Sequence, residues 1–111
     1  MLVYEKGDLR VATVEAGRLR LDGGAMFGVV PKPLWERRIE ADGRNRIPLS
    51  MRCLLIRKGA ETILVDAGLG NKEDEKFESI YGVENAGRPT RLEDGLRAWG
   101  VEPEDVDTVV C

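Results

Sequence analysis

Residues 62–71 read Thr-Ile-Leu-Val-Asp-Ala-Gly-Leu-Gly-Asn, and this stretch decides the fold. Its three consecutive apolar residues, 63–65, lie between a turn-like segment and glycines, a pattern that predicts a strand buried on both faces. The strand ends on the carboxylate of Asp66, and Gly68 and Gly70 then let the backbone turn sharply or approach a ligand closely. Because α/β proteins place ligand sites where central strands leave the sheet, Asp66 is a candidate functional residue.

Two interpretations of Asp66 are compatible with these neighbours. An aspartate close to a glycine is an ordinary turn former, whose carboxylate hydrogen-bonds its own backbone. In the other interpretation, the carboxylate serves a functional site at the end of the strand. The context provided by the rest of the chain separates the two.

The composition excludes several classes of protein. A length of 111 residues is enough for one domain or part of one. With 42% hydrophobic residues the chain can form a core, and its net charge of −3 offers no basic surface to nucleic acid. The first residues carry no basic segment followed by an apolar run, and no stretch has the length of a membrane span. We therefore expect a cytoplasmic protein that binds neither nucleic acid nor a membrane.

The most informative count is that of histidine, which is zero. Cys53 and Cys111 are far apart in the sequence, and each lies in an apolar, strand-like segment, which predicts buried free thiols. A zinc site usually takes three or four nitrogen and sulfur ligands. We therefore expect these residues to supply no metal ligands, and a chain of residues 1–111 to bind no stoichiometric zinc.

The first half of the chain has the pattern of β-strands. Residues 9–21 are strand-like, and Gly17 predicts a bend or turn between two strands. From Ile47 to Leu55 every second residue is apolar, and the opposite face becomes apolar at its end, which predicts a strand that goes from half-buried to fully buried. Residues 58–61 then predict a hairpin to the strand at 62–65.

Between these strands, residues 25–35 form a long apolar stretch with two prolines, which argue against a helix or a central strand. We interpret it as a loop. Its large side chains, Met26, Phe27 and Trp35, either line a substrate pocket or anchor the loop to the core. The arginine-rich residues 37–46 that follow are interpreted as a solvated connector.

The second half of the chain is predicted to contain helices. Residues 72–81 have helical spacing and stop at Gly82. Residues 90–93 match a capping box that begins a helix ended by Gly100, with its apolar side chains on one face. Residues 103–106 form a single helical turn, and residues 108–111 are typical of another buried strand.

As an ordered set, these motifs resemble the N-terminal half of metallo-β-lactamase-fold hydrolases. The motifs are Ile-Leu-Val-Asp-Ala-Gly at 63–68, a helix ending in Trp-Gly-Val at 99–101, and Pro-Glu-Asp-Val-Asp-Thr-Val-Val-Cys at 103–111. Gly-Ala-Met-Phe-Gly at 24–28, with Pro31 and Lys32, looks most like the branch of acyl-homoserine lactonases and related esterases or organophosphate hydrolases. The resemblance covers nearly all of the chain.

The resemblance implies an α/β (α+β) fold: the N-terminal half of an αβ/βα sandwich, with a mostly antiparallel sheet followed by helices. Residues 1–111 would be the N-terminal part of one such domain, ending just before the family's His-x-His-x-Asp-His motif. Asp66 matches an aspartate that supports the metal-binding loop by hydrogen bonding, with Gly68 beside it. No residue of this chain matches a catalytic residue or a metal ligand of the family.

The function implied by the resemblance is a metal-dependent hydrolase. Such an enzyme uses one or two ions of zinc or another divalent metal to activate water against a lactone, ester or related bond of a small-molecule substrate. Without the metal ligands, we expect residues 1–111 alone to be inactive.

Two alternatives remain. In the first, the chain is a noncatalytic fragment or subunit whose open sheet face pairs with another chain, through self-association or with a missing C-terminal half. In the second, Gly68-x-Gly70 belongs to a nucleotide-binding βα unit. The second is disfavoured because the expected third glycine is replaced by Glu73, and acidic residues 73–75 would repel phosphate.

Overall fold

The structure, a computed structural model, describes residues 1–70, 72, 74–84 and 91–111. Its elements in chain order are β1 (Leu2–Lys6), β2 (Leu9–Asp22), α1 (Gly23–Phe27), α2 (Lys32–Trp35), β3 (Arg46–Lys58), β4 (Glu61–Val65), α3 (Glu75–Tyr81), α4 (Leu92–Arg97), a 3-10 turn (Pro103–Asp105) and β5 (Thr108–Val110). These strands form one sheet in the order β1-β2-β3-β4-β5. The pairs β1/β2 and β3/β4 are antiparallel, and β4/β5 is parallel. The predicted fold class is confirmed.

The chain divides into two compact units. The first comprises Met1–Gly17, Ser50–Lys72 and Asn85–Cys111, and the second comprises Arg18–Leu49 and Glu73–Glu84. In the first unit, β2, β3, β4 and the region of α4 contribute the buried core, which consists of Val14, Ala16, Cys53, Leu55, Leu64, Leu96 and Val101. The apolar face predicted for α4 is confirmed, because Leu92 and Trp99 pack against this core beside the buried Leu96.

Two glycines in the first unit allow a tight turn and a close contact between helix and sheet. The pairing of Lys58 with Glu61 leaves a two-residue hairpin turn, and Gly59 at its first position has a φ of +57°, which glycine adopts without steric cost. Gly95 of α4 lies against β2, where a Cβ atom would be 2.6 Å from the carbonyl oxygen of Glu15. A side chain at this position would therefore force the helix away from the sheet.

The second unit is built around Trp35, which is 3% exposed. Its indole stacks on Phe27 with ring centroids 5.1 Å apart, and it covers Gly23 so closely that a Cβ atom there would overlap the ring. Asp22 caps α1 by accepting a hydrogen bond of 2.6 Å from the backbone N–H of Gly24. Helix α3 ends at Gly82 in the left-handed conformation, as the sequence predicts, but it begins after its N-cap Asp74 and not at residue 72.

The bend predicted at Gly17 is wrong. Gly17 lies inside β2, which continues without a turn from Leu9 to Asp22. Its φ of +135° is open to glycine, so the residue adapts the strand locally and does not interrupt it. Strand β1, which pairs with the start of β2, has no counterpart among the sequence predictions.

The loop predicted for residues 25–35 is also wrong in part, because the segment contains helices α1 and α2. Pro31 is the N-cap of α2 and Pro33 lies in its first turn. Prolines are tolerated there because the first backbone N–H groups of a helix have no intrahelical partner. The two prolines therefore mark the start of a short helix.

Burial differs from the prediction along the far strands of the sheet. Strand β5 is confirmed, but Val109 and Val110 are 51% and 48% exposed, so the burial predicted for this strand is wrong. Leu54 of β3 is 38% exposed, so the end of that strand is not fully buried. Both thiols are free, yet only Cys53 is buried, and the buried position predicted for Cys111 is wrong.

Helix α4 begins after Arg91, which makes no side-chain capping hydrogen bond. The predicted capping residue, Thr90, lies outside the described residues, as does Glu73. The 3-10 turn at Pro103–Asp105 carries a capping box formed by Glu102 and Asp105, and it matches the predicted single helical turn. Among the helices of the described residues, none is long and apolar enough to cross a membrane.

Candidate functional site

The candidate site lies where the parallel strands β4 and β5 end. Val65 pairs with Val110, and the next backbone N–H, that of Asp66, donates to the carbonyl oxygen of Val110 at 2.7 Å. This hydrogen bond places Asp66 and Cys111 side by side at the carboxyl edge of the sheet. Such an edge is where open α/β sheets hold their functional groups.

Asp66, Ala67 and Gly68 form a tight turn, here called the 66–68 turn. One carboxylate oxygen of Asp66, Oδ1, accepts hydrogen bonds from the backbone N–H groups of Ala67 and Gly68, at 2.6 and 3.2 Å. The φ of Asp66 is +68°, a left-handed conformation that is uncommon for residues other than glycine and is tolerated by aspartate. The turn-forming role of Asp66 is therefore observed directly.

The same geometry leaves the other carboxylate oxygen, Oδ2, open. It receives no hydrogen bond from the described residues, and Asp66 is exposed. Left-handed backbone conformations cost free energy and are frequent at functional sites. Asp66 thus combines a fixed position, a fixed orientation and one carboxylate oxygen available to a further partner.

Beneath the turn lies Cys53, which is 2% exposed. Burial, together with the nearby negative charge of Asp66, raises the pKa of the Cys53 thiol, and a hydrogen bond from the backbone N–H of Gly68 partly opposes this rise. The thiol is therefore neutral at physiological pH, because free cysteine already has a pKa above 8. Cys53 therefore packs against the turn as a small uncharged group.

These residues do not form a metal centre by themselves. The sequence contains no histidine, and the described residues include no group of three His, Cys, Asp or Glu side chains that could hold a metal ion. A protein zinc site needs three or four ligands, whereas the turn offers one open carboxylate oxygen. A metal at this edge would require ligands from other residues.

A second candidate region belongs to the second unit. A cavity of about 280 Å³ is lined by Leu21, Asp22, Ala25, Met26, Arg44, Arg46, Ile80 and Tyr81. Met26 is 48% exposed and contributes to the wall, whereas its predicted companions Phe27 and Trp35 pack on each other and do not line it. The predicted loop residues are therefore separated into one that faces the cavity and two that hold the segment in place.

Arginine side chains fix one side of this cavity. Arg44 and Arg46 each donate a hydrogen bond to the carbonyl oxygen of Ser79, at 2.8 and 2.9 Å, and so satisfy the end of α3. Arg46 also pairs with Asp42 at 2.9 Å. Hydrogen bonds from the backbone of Arg46, then from Arg44 and the Arg46 side chain, lower the pKa of Asp42 to about 2 against a smaller opposing effect of burial.

The sequence prediction found Asp66 and Gly68, which the structure brings together, and missed Cys53. The hairpin contained the necessary signal. Strands β3 and β4 pair Lys58 with Glu61 and Leu54 with Val65, so counting one residue further along both strands places Cys53 opposite Asp66. The hydrogen bonds of Arg44 and Arg46 join segments that are far apart in the sequence, and no local sequence pattern indicated them.

Comparison with known proteins assigns the chain to a family. Residues 47–111 match the Metallo-beta-lactamase superfamily. The structure of a probable metal-dependent hydrolase from Staphylococcus aureus is similar to this chain, with 36% sequence identity and a TM-score of 0.82 over 96% of it. Hydrolase AbOPH, described as belonging to the beta lactamase superfamily, has the same fold, with 22% identity and a TM-score of 0.61 over 96% of the chain. No curated protein matches.

The chain therefore belongs to the metallo-β-lactamase superfamily. It spans 38% of the length of the S. aureus protein and 33% of the length of AbOPH. The family uses divalent metal ions, and its metal centre is not contained in the described residues.

Proposed function

We propose that residues 1–111 are the N-terminal part of a single metallo-β-lactamase-like domain, and that the completed protein is a cytoplasmic metal-dependent hydrolase. One observation carries this proposal. Asp66 is held at the carboxyl edge of parallel strands β4 and β5 with one oxygen fixed in the turn and the other open. By the sequence resemblance, Asp66 corresponds to the aspartate that supports the metal-binding loop in the family.

In this function, residues 1–111 orient the metal ligands and do not bind the metal themselves. A bound divalent ion, zinc or another metal, would supply activated water and polarise the bond to be broken. Asp66 would accept a hydrogen bond through its open oxygen from the segment that carries the ligands, next to Cys111. Groups of this kind, which orient metal ligands, change metal affinity or activity by about 10- to 100-fold.

The exposed face of the sheet supports the proposal that further residues complete the domain. Leu54, Val65 and Val110 pair laterally across β3, β4 and β5, so they share one face, and their neighbours Leu55 and Leu64 point into the core on the other. Leu54 and Val110 are 38% and 48% exposed. An apolar sheet face of this kind is normally covered, in this case by the rest of the domain.

The substrate is proposed to be a small molecule with a lactone, ester or related bond, as in the acyl-homoserine lactonase-like branch. The cavity beside Met26 supports a pocket of mixed character, since apolar side chains line it together with the cationic groups of Arg44 and Arg46. Pocket shape and a few polar groups decide which substrate such enzymes accept. Met26 is therefore the proposed determinant of selectivity within this segment, and Phe27 and Trp35 hold the segment in place by stacking on each other.

The proposal is tested on the full-length product of the gene. Elemental analysis should find one or two divalent ions per molecule, and a panel of lactones, esters and phosphotriesters should reveal hydrolysis. Asp66→Asn should lower metal affinity or kcat/KM by about 10- to 100-fold, because it weakens an acceptor that orients the site. Asp8→Asn, which changes an exposed aspartate in the turn between β1 and β2, serves as the control. A full-length protein without metal and without hydrolytic activity would overturn the proposal.

The same exposed sheet face favours the alternative of a noncatalytic subunit. If the gene product consists only of residues 1–111, the face formed by Leu54, Val65 and Val110 is expected to pair with another chain. Leaving about 800 Å² of apolar surface in water would forgo roughly 20 kcal/mol at about 25 cal/mol per Å², an upper bound that still favours association. Sedimentation of residues 1–111 decides this, since a cooperatively folding monomer of 12.3 kDa would contradict it.

A further inference from the structure

Gly68 is held against strand β2 by a contact that leaves no room for a side chain. A Cβ atom at Gly68 would lie 2.8 Å from the Cβ of Ala16 and 3.7 Å from its carbonyl oxygen. The φ of Gly68 is +69°, so glycine is required for conformation as well as for space. Ala16 itself is 3% exposed and belongs to the core, which means that it has little freedom to yield.

Cys53 lies on the same turn from strand β3. It is 2% exposed, it belongs to the same core cluster as Ala16, and it comes directly before Leu54, whose partner in the β3/β4 pairing is Val65, the residue before Asp66. The turn is thus supported by two small buried side chains, one from β2 and one from β3. On its other side, it is tied to β5 by the hydrogen bond from Asp66 to Val110.

We propose that Ala16 and Cys53 are positioning residues that form a seat for the 66–68 turn, and that the small size of these two side chains sets where the Asp66 carboxylate lies. This inference rests on the proposed function only for its consequence at the metal centre. The positions of Ala16, Cys53 and Gly68 are features of the fold.

The coupling from the seat to the carboxylate is short. The Gly68 N–H donates to Oδ1 of Asp66, so any shift of Gly68 away from β2 changes that hydrogen bond. The Ala67 N–H donates to the same oxygen at 2.6 Å, and both donors would move together. A larger side chain at residue 16 would therefore reorient the Asp66 carboxylate without touching it.

The experiment compares matched variants of the full-length protein. Ala16→Val enlarges the seat residue, and Ala12→Val is its control, because Ala12 is an alanine of the same strand with the same 3% exposure. Cys53→Val enlarges the second seat residue. Three quantities are measured: melting temperature, amide hydrogen exchange of residues 66–70, and zinc affinity by competition with a chelator.

The expected result separates position from stability. Ala16→Val and Cys53→Val should increase amide exchange of residues 66–70 at least about 10-fold and weaken zinc binding by about 10- to 100-fold. Ala12→Val should lower the melting temperature to a similar extent as Ala16→Val and leave both other quantities unchanged. Equal exchange of residues 66–70 in Ala16→Val and Ala12→Val would overturn the proposal.

A double-mutant cycle tests the contact itself. Gly68→Ala should disturb the turn through both its strained φ and the overlap with Ala16, and Ala16→Gly should remove only the overlap. In the double variant, zinc affinity and exchange protection should therefore recover in part relative to Gly68→Ala, a coupling that independent sites do not show. Strict additivity of the two changes would contradict the seat.

The failure of the seat and the failure of the proposed function are distinguishable. If the seat variants change the exchange of residues 66–70 but not zinc affinity, the seat is supported and the role of Asp66 at the metal centre is overturned. If the unmodified full-length protein binds no zinc, the proposed metal site is overturned, and the exchange measurements alone decide on the seat.

Discussion

The 66–68 turn and the segment from α1 to α2 (residues 23–35) are held in place in opposite ways. The turn is fixed by backbone hydrogen bonds and one close contact. The N–H groups of Ala67 and Gly68 donate to one carboxylate oxygen of Asp66, and the N–H of Asp66 donates to a carbonyl oxygen of β5. Gly68 also lies tightly against Ala16. The segment is fixed by one large side chain, Trp35, stacked on Phe27 and resting on Gly23. Its tip is otherwise apolar and open, with Val29 99% exposed.

The difference indicates what each region can vary. Because hydrogen bonds have strict geometry, the turn has one position, which suits a group that must orient a metal ligand. The segment is held mainly by its aromatic anchor, so its exposed residues, such as Val29, are expected to tolerate substitution. A fold that holds one functional group rigidly and lets another segment vary can support several substrate specificities.

The largest expected effect is a loss of stability when the aromatic anchor of the segment is removed. Trp35→Ala should lower the free energy of unfolding by about 3–5 kcal/mol, because it removes a buried aromatic side chain that the surroundings cannot replace. Denaturant unfolding of the full-length protein measures this change. Trp35→Phe, which keeps part of the stack on Phe27, should cost less. A loss below about 1 kcal/mol for Trp35→Ala would show that the anchor lies elsewhere.

The second effect concerns the turn and appears in function more than in stability. Asp66→Asn keeps the Oδ1 acceptor for the Ala67 and Gly68 N–H groups but removes the negative charge. We expect metal affinity or kcat/KM to fall by about 10- to 100-fold, equivalent to roughly 1.4–2.8 kcal/mol, with a smaller change in unfolding free energy. Unfolding and metal titration of the same preparation test this, and a loss confined to stability would contradict the functional role.

The third effect sharpens the difference within the segment. Met26→Ala should change relative kcat/KM between two substrates of different size by a few-fold to about 10-fold, at a stability cost below about 1 kcal/mol, because Met26 is 48% exposed and faces the cavity. Phe27→Ala should lower stability more and change the relative kcat/KM less than Met26→Ala does, since Phe27 stacks on the buried Trp35. For both variants, the kcat/KM ratio of the two substrates and the melting temperature are measured and compared. Identical profiles would remove the distinction between wall and anchor.

The smallest effect is a pH dependence in the second unit. The folded-state pKa of Asp42 is lowered to about 2, below its ordinary value near 3.8, so its contribution to stability is present above pH 4 and is lost as the pH falls toward 2. Asp42→Asn should therefore reduce stability at neutral pH and flatten the acid limb of the stability curve between about pH 4 and 2. Urea unfolding at several pH values provides the measurement, with an unchanged acid limb as the contrary outcome.

Local sequence predicted the elements whose signals are local. The hairpin at residues 58–61 followed from a glycine between two apolar runs, and α3 and its Gly82 stop followed from helical spacing. The prolines at 31 and 33 misled because their effect depends on position: the same residue that breaks a helix interior is tolerated in its first turn. The loop predicted for residues 25–35 took account only of the disruption that proline causes in a helix interior.

Burial was the property that local patterns predicted least well. Residues 63–65 and 108–111 are both mainly apolar, yet Leu64 is 3% exposed while Val109 and Val110 are about half exposed. Composition indicates that a strand can be buried, whereas its place in the sheet order and the elements that cover it decide whether it is. Strand β5 is at the end of that order.

The sequence by itself determined the strands around residues 47–65, helices α3 and α4, and Asp66 as the residue at the end of a strand, because each depends on neighbours within a few positions, and the order of these motifs gave the family resemblance. Only the tertiary structure decided that Ala16 and Cys53 lie beneath Gly68, and that Arg44 and Arg46 close the end of α3. These contacts join residues tens of positions apart. They exist because sheet register and helix packing bring those residues together, and no periodicity of either partner records the distance between them.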